Sequence, residues 1–264
     1  MLTSLPPVQL ALWAVSTLVT LALLCRILIG PTRNLYPLFA AYLATNLLQT
    51  LLQLIVYHRY GNTAALPYKL IWGSQAVVVT MRALVAAEFC RRILGRYRGV
   101  WALAWRVLLF CGASILTAAV YFGNDGMILA VMTLDIGSEA FVATLTVGTF
   151  LFVRYYDVPT ETSEKLFGLG LGVYSGLKIM NDLIVSRFLS SYAGAWNAIG
   201  MMAFIGAALL WTAAVYRTVD VRAAEPQLRP DDRDYRLLIP AINRRLWQLN
   251  RQLIHFWKLE QPKP

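Results

Sequence analysis

Five ionisable side chains interrupt stretches otherwise built of Leu, Val, Ala and Phe: Arg82, Asp135, Glu139, Lys178 and Asp182. Such groups are costly where water is scarce, and they pair with one another or face a cavity, an ion path or a ligand. Asp135 and Glu139 stand one helical turn apart, as do Lys178 and Asp182, and Gln75 shares a face with Arg82 at a step of seven. At 100° per residue, Tyr42, Asn46, Gln49, Thr50, Gln53 and Tyr57 fall within about 80–100° of arc. Ser138, Thr146 and Thr149 extend the stripe that Asp135 and Glu139 begin. The residues expected to line a ligand or ion pocket are therefore Asn46, Gln49, Gln53, Gln75, Arg82, Asp135, Glu139, Lys178 and Asp182. Their blander role is structural, because buried ion pairs fix helix register and amides glue helices together. Glu88 lies on another face with Arg91 and Arg92 in i+3/i+4 reach, and it is left outside the pocket.

Charge arithmetic sharpens the chemistry. Arg82 and Lys178 can neutralise two of the carboxylates of Asp135, Glu139 and Asp182, and a third cannot stay ionised without a partner in a poorly solvated interior. Mutual repulsion between Asp135 and Glu139 singles out the deeper Glu139 as the one to be protonated, with Asp135 paired to Arg82 or Lys178. Catalytic signatures are missing. The only histidines are His58 and His255, and there is no HExxH, GxSxG, Walker loop or CxxC. Cys25, Cys90 and Cys111 make no close-spaced metal set. The chain reads as a non-enzyme with no cofactor and no metal.

These side chains need elements long enough to carry them through a bilayer. Of the 264 residues 58% are hydrophobic and 14% charged, against about 25% charged in an average soluble domain. Mean hydropathy is +0.55. Runs near 20 residues match a hydrocarbon core of about 30 Å at 1.5 Å per residue. Seven spans are expected, near 8–29, 35–57, 67–92, 101–122, 127–153, 165–187 and 192–216. The fold class is thus an all-α integral membrane protein, a seven-helix bundle over residues 1–217, followed by a basic cytoplasmic tail over 218–264.

Basic residues set the orientation. One set of loops holds Arg26, Arg33, Arg91, Arg92, Arg96, Arg98, Arg154 and Lys165, the tail adds ten more, and the opposite loops hold only Arg59, Lys69 and Arg187. The positive-inside rule then puts the N-terminus outside and the C-terminus in the cytoplasm, in a plasma or bacterial inner membrane. That rule also accounts for the net charge of +10 without nucleic acid. The N-terminus has no basic leader followed by a cleavage pattern, so it reads as the first span rather than a signal peptide. All eleven prolines lie outside the spans or near their ends, which predicts continuous helices. The motif sets of three seven-span families do not fit. The Pro-Gln motif of the PQ-loop sugar transporters is absent, the last span has no lysine for retinal, and it has no Asn-Pro pair.

Gly168, Gly172 and Gly176 form a GxxxGxxxG ridge that invites close approach of a helix from this chain or from a second copy. In the tail, Ile239, Ile242, Leu246, Leu249, Leu253 and Phe256 recur at steps of three and four over a helix expected near 240–258. With Arg244, Arg245, Trp247, Arg251 and Trp257 around that seam, the helix suits the inner leaflet of the bilayer, or a membrane or cytoplasmic protein partner. The functional expectation is a receptor-like protein with an outward-biased polar pocket. The alternatives are a proton- or ion-coupled solute transporter and an accessory subunit of a membrane complex.

Overall fold

Apolar runs without internal proline become long helices, because every backbone polar group is then satisfied within the segment. The computed structural model describes residues 7–30, 36–60, 65–124, 126–156, 158, 160–187, 193–224 and 243–257; the side chains of 57, 58, 60, 65–68, 182–187, 193–197, 218–224 and 243–245 lie outside that description. The described residues form eight helices and no strand: α1 (Pro7–Ile29), α2 (Pro37–Tyr60), α3 (Ala65–Leu94), α4 (Arg98–Gly123), α5 (Met127–Tyr156), α6 (Thr162–Arg187), α7 (Ala193–Ala224) and α8 (Asn243–Phe256). Pro7 and Pro37 open their helices at the first position, where the missing N–H costs nothing. Six helices, α1 to α5 and α7, are long and apolar enough to cross a membrane, which marks a multi-pass membrane protein. α6 matches them in length at 26 residues but carries Glu164, Lys165, Lys178, Asp182 and Arg187. Leu18, Leu48, Phe110 and Leu151 point outward from their helices. Lipid rather than water is the natural solvent for such a surface.

Adjacency is not sequential. α1, α2, α3, α5, α6 and α7 form a closed ring, while α4 packs outside it on α5 and α3. The two ends differ. At the base, where α1 stops and α2, α4 and α6 begin, the rings of Tyr36, Phe39, Phe89, Phe167 and Trp211 fill the interior. Glycines let these rings in. A Cβ on Gly168 would stand 2.4 Å from Phe89 Cζ and 2.8 Å from Phe150 Cζ, and one on Gly170 would stand 2.6 Å from Trp211 Nε1. The Trp211 indole N–H donates to the carbonyl of Phe167 across the α6–α7 contact, at 3.2 Å. Gly172 faces Thr146 of α5, whereas nothing lies within 4 Å of a Cβ placed on Gly176. The ridge therefore packs within the chain through its first two glycines.

Helix starts at the base leave backbone N–H groups without intrahelical acceptors. Neighbours supply them. Glu88 of α3 accepts from Leu38 N at 3.3 Å and Phe39 N at 3.1 Å, capping α2. A local pairing of Glu88 with Arg91 and Arg92 is therefore only part of its role; Arg92 stacks over the Tyr36 ring at 4.1 Å. On α6, Glu164 reaches back to the N–H of Glu161 at 3.2 Å, the return half of a capping box. On α4, the N–H of Gly99 donates to Asn250 Oδ1 of α8 at 2.7 Å. α8 docks there, with Leu246 fully buried, Leu249 and Leu253 half-buried, and Arg106 of α4 over the Trp257 ring at 3.7 Å. Leu246, Leu249 and Leu253 of the tail's apolar seam thus meet this chain's own α4, whereas Phe256 is exposed and Ile239 and Ile242 lie outside the described residues. Trp247 and Arg251 remain exposed, and the side chains of Arg244 and Arg245 lie outside the described residues.

Candidate functional site

At the opposite end, the top, the packing opens into a cavity of about 340 Å³. Its wall combines Trp13 and Ser16 of α1, Asn46, Gln49, Thr50 and Gln53 of α2, and Gln75, Val78 and Arg82 of α3. Tyr174, Lys178 and Asn181 of α6 and Gly200, Met201, Ala203 and Phe204 of α7 complete it. Helical phase explains the grouping. Positions 46, 49, 50 and 53 repeat at three and four, as do 75, 78 and 82, and so each set shares one face.

Behind the wall lies a connected polar centre. Gln49 Nε2 donates to Gln75 Oε1 at 2.8 Å, and Gln75 Nε2 donates to Asp135 Oδ2 at 3.3 Å. Lys178 Nζ donates to the same Asp135 oxygen at 2.6 Å and stands 3.7 Å from Glu139 Oε1. Arg82 forms an ion pair with Glu139. The guanidinium also lies over the Tyr174 ring at 4.9 Å and the Tyr42 ring at 5.8 Å, so aromatic faces share its charge. Four helices are tied together through this chain of contacts: α2, α3, α5 and α6.

The expected pairing of Asp135 with a cation is Lys178's. Glu139, expected to be the protonated carboxylate, stands beside both cations: neighbouring α3 and α5 bring Arg82 to its level, and Lys178 is close on the other side. The two pairs differ in depth. The side chains of Arg82 and Glu139 are 4% and 0% exposed, those of Lys178 and Asp135 17% and 16%. Replacing one partner of so dry a pair strands the other, at a typical cost of about 3–5 kcal/mol.

No family model, no curated protein and no solved structure matches the chain. The geometry has to speak for itself. Of the residues expected at the pocket, Asn46, Gln49, Gln53, Gln75, Arg82 and Lys178 reach the cavity wall. Asp135 and Glu139 stand behind Lys178 and Arg82 rather than on the surface of the cavity. The side chain of Asp182, like that of Tyr57, lies outside the described residues. Sequence reading missed the shares of α1 and α7 because Trp13, Ser16, Met201 and Phe204 carry no charge in spans that look uniformly apolar. Tyr174 and Asn181 did leave a signal, since 174, 178 and 181 repeat at four and three along one face of α6. Chemically, such a wall can hold a small molecule by hydrogen bonds and by charge, with aromatic surface beside both.

Proposed function

We propose that this protein is a seven-span, receptor-like membrane protein, N-terminus outside and C-terminus in the cytoplasm, that binds a small polar ligand in the cavity at its outer end. The seventh span is α6, whose described charges include Lys178, paired with Asp135 of α5, and Glu164, beside Arg96. The excess of Arg and Lys at the base supports the orientation. One observation carries the binding reading: a cavity of about 340 Å³ lined by amides and two cations, backed by a hydrogen-bonded chain through four helices. That size lies within the span of known ligand pockets. A ligand that engages Lys178 acts on the link between α5 and α6, which gives binding a route to the base. The exposed Trp247 and Arg251 on α8 suit the inner leaflet or a cytoplasmic partner.

Gly200 supplies the test. It lines the cavity, and a Cβ there meets nothing within 4 Å. Gly200→Phe therefore fills the space while leaving both ion pairs alone. An ultrafiltered small-molecule extract of the native host is expected to raise the melting temperature of the wild type in nanodiscs and not that of Gly200→Phe, since a ligand that binds only the folded form stabilises it by mass action. Equal response of both proteins, or none, defeats the cavity reading. A transporter is the second reading, favoured by Lys178 lying between two carboxylates. Flux of the bound solute into proteoliposomes would transfer the assignment to it.

A further inference from the structure

The chemistry of the wall narrows the ligand class, an inference that rests on the cavity being a ligand site. Each ion pair is oriented the same way: the cation reaches the cavity and its carboxylate stands behind it. Among the described lining residues there is no carboxylate. The Arg82 side chain is 4% exposed, paired with Glu139 and set over the Tyr174 and Tyr42 rings. The Lys178 ammonium is partly accessible beside it. Two neighbouring cations in poorly solvated surroundings favour an acceptor that carries negative charge, since charge-assisted hydrogen bonds are the strong ones. Trp13, Tyr174 and Phe204 supply flat apolar surface in the same wall.

We propose that the cavity takes a compact aromatic carboxylate, its carboxylate against Lys178 on the side of Arg82, its ring among Trp13, Tyr174 and Phe204. Binding then sets the ligand in competition with Asp135 for Lys178. A cationic ligand is disfavoured by the same geometry, because Arg82 and Lys178 screen both described carboxylates from the cavity.

The probes are radiolabelled benzoate, its neutral relative benzamide and its cationic relative benzylamine, tested by equilibrium dialysis on the full chain in nanodiscs at neutral pH. Saturable benzoate binding is expected at millimolar concentration or below, with no displacement by excess benzamide or benzylamine. Lys178→Gln should weaken it at least tenfold. Because that variant strands Asp135 and could fail to fold, Gly200→Phe is the second variant, and it should abolish binding with the ion pairs intact. Benzoate binding that survives in Gly200→Phe lies elsewhere and overturns the proposal. Tighter binding of benzylamine or benzamide overturns the anionic class while leaving the cavity as a ligand site. If benzoate does not bind but the extract still stabilises the wild type through the cavity, the anionic class alone falls. If neither acts, both readings fall.

Discussion

The base and the top of the bundle solve opposite problems with the same helices. At the base, glycines bring backbone within reach of aromatic rings, and the helix starts of α2 and α4 are closed by Glu88 and Asn250 from other helices. At the top, amides and ion pairs hold the helices at a distance and leave about 340 Å³ between them. Tight apolar packing tolerates almost no change of shape. Polar contacts can be exchanged for others of similar strength, so the top is the end that can give way to a ligand of the kind proposed. Rigidity below and exchangeable contacts above suit a protein whose ligand enters at one end and whose partner waits at the other.

Substitutions can break that contrast, and the largest effect is expected in the polar centre. Arg82→Gln should lower stability by about 3–5 kcal/mol by stranding Glu139. The double variant with Glu139→Gln should regain much of the loss, a coupling that a double-mutant cycle on thermal melts would measure. No recovery in the double variant would mean that the pair is not the unit that matters. Next comes the base, where Gly168→Ala forces a methyl against Phe89 and Phe150 and should cost about 1–3 kcal/mol by overpacking. A neutral result there would show that the ring cluster yields as readily as the top. Glu88→Ala should cost about 0.5–2 kcal/mol through the lost cap on α2, read as earlier hydrogen exchange at Leu38 and Phe39. The smallest shift belongs to Gly200→Phe, within about 0.5 kcal/mol without ligand, because the space it fills is empty. A large loss on melting would mean that the cavity is shaped by contacts at Gly200.

Helical periodicity and proline placement were enough to locate the long helices. The helices observed begin and end within a few residues of those expected, except that α7 runs on to Ala224, past the expected end near 216. Charge in an apolar run was enough to pick out Arg82, Asp135, Glu139 and Lys178 as neighbours. Which cation meets which carboxylate was not legible, because phase says which way a side chain points and not which helix stands opposite. Glu88 shows the limit well. Its near neighbours in sequence, Arg91 and Arg92, look like sufficient partners, yet its carboxylate reaches two N–H groups about fifty positions away in the chain. Asn250 left a trace, an amide on the same helix face as Leu246, Leu249 and Leu253, but the donor awaiting it on Gly99 belongs to a helix start that only packing could bring near.

Trp211 gives α7 a fulcrum. Its ring is wholly buried and its N–H is tied to Phe167, so the helix is anchored there. Phe204 on the cavity wall stands seven residues to one side and the end of the helix at Ala224 thirteen residues to the other. At 1.5 Å per residue those arms are about 10 Å and 20 Å, and α7 has no proline to absorb a bend. A displacement of the short arm by a ligand is then reversed and about doubled at the long arm. The chain beyond that arm leads to α8, which is fastened to α4. Spin labels at Ala224 and Trp105 would read the swing as a change in distance between α7 and the outermost helix.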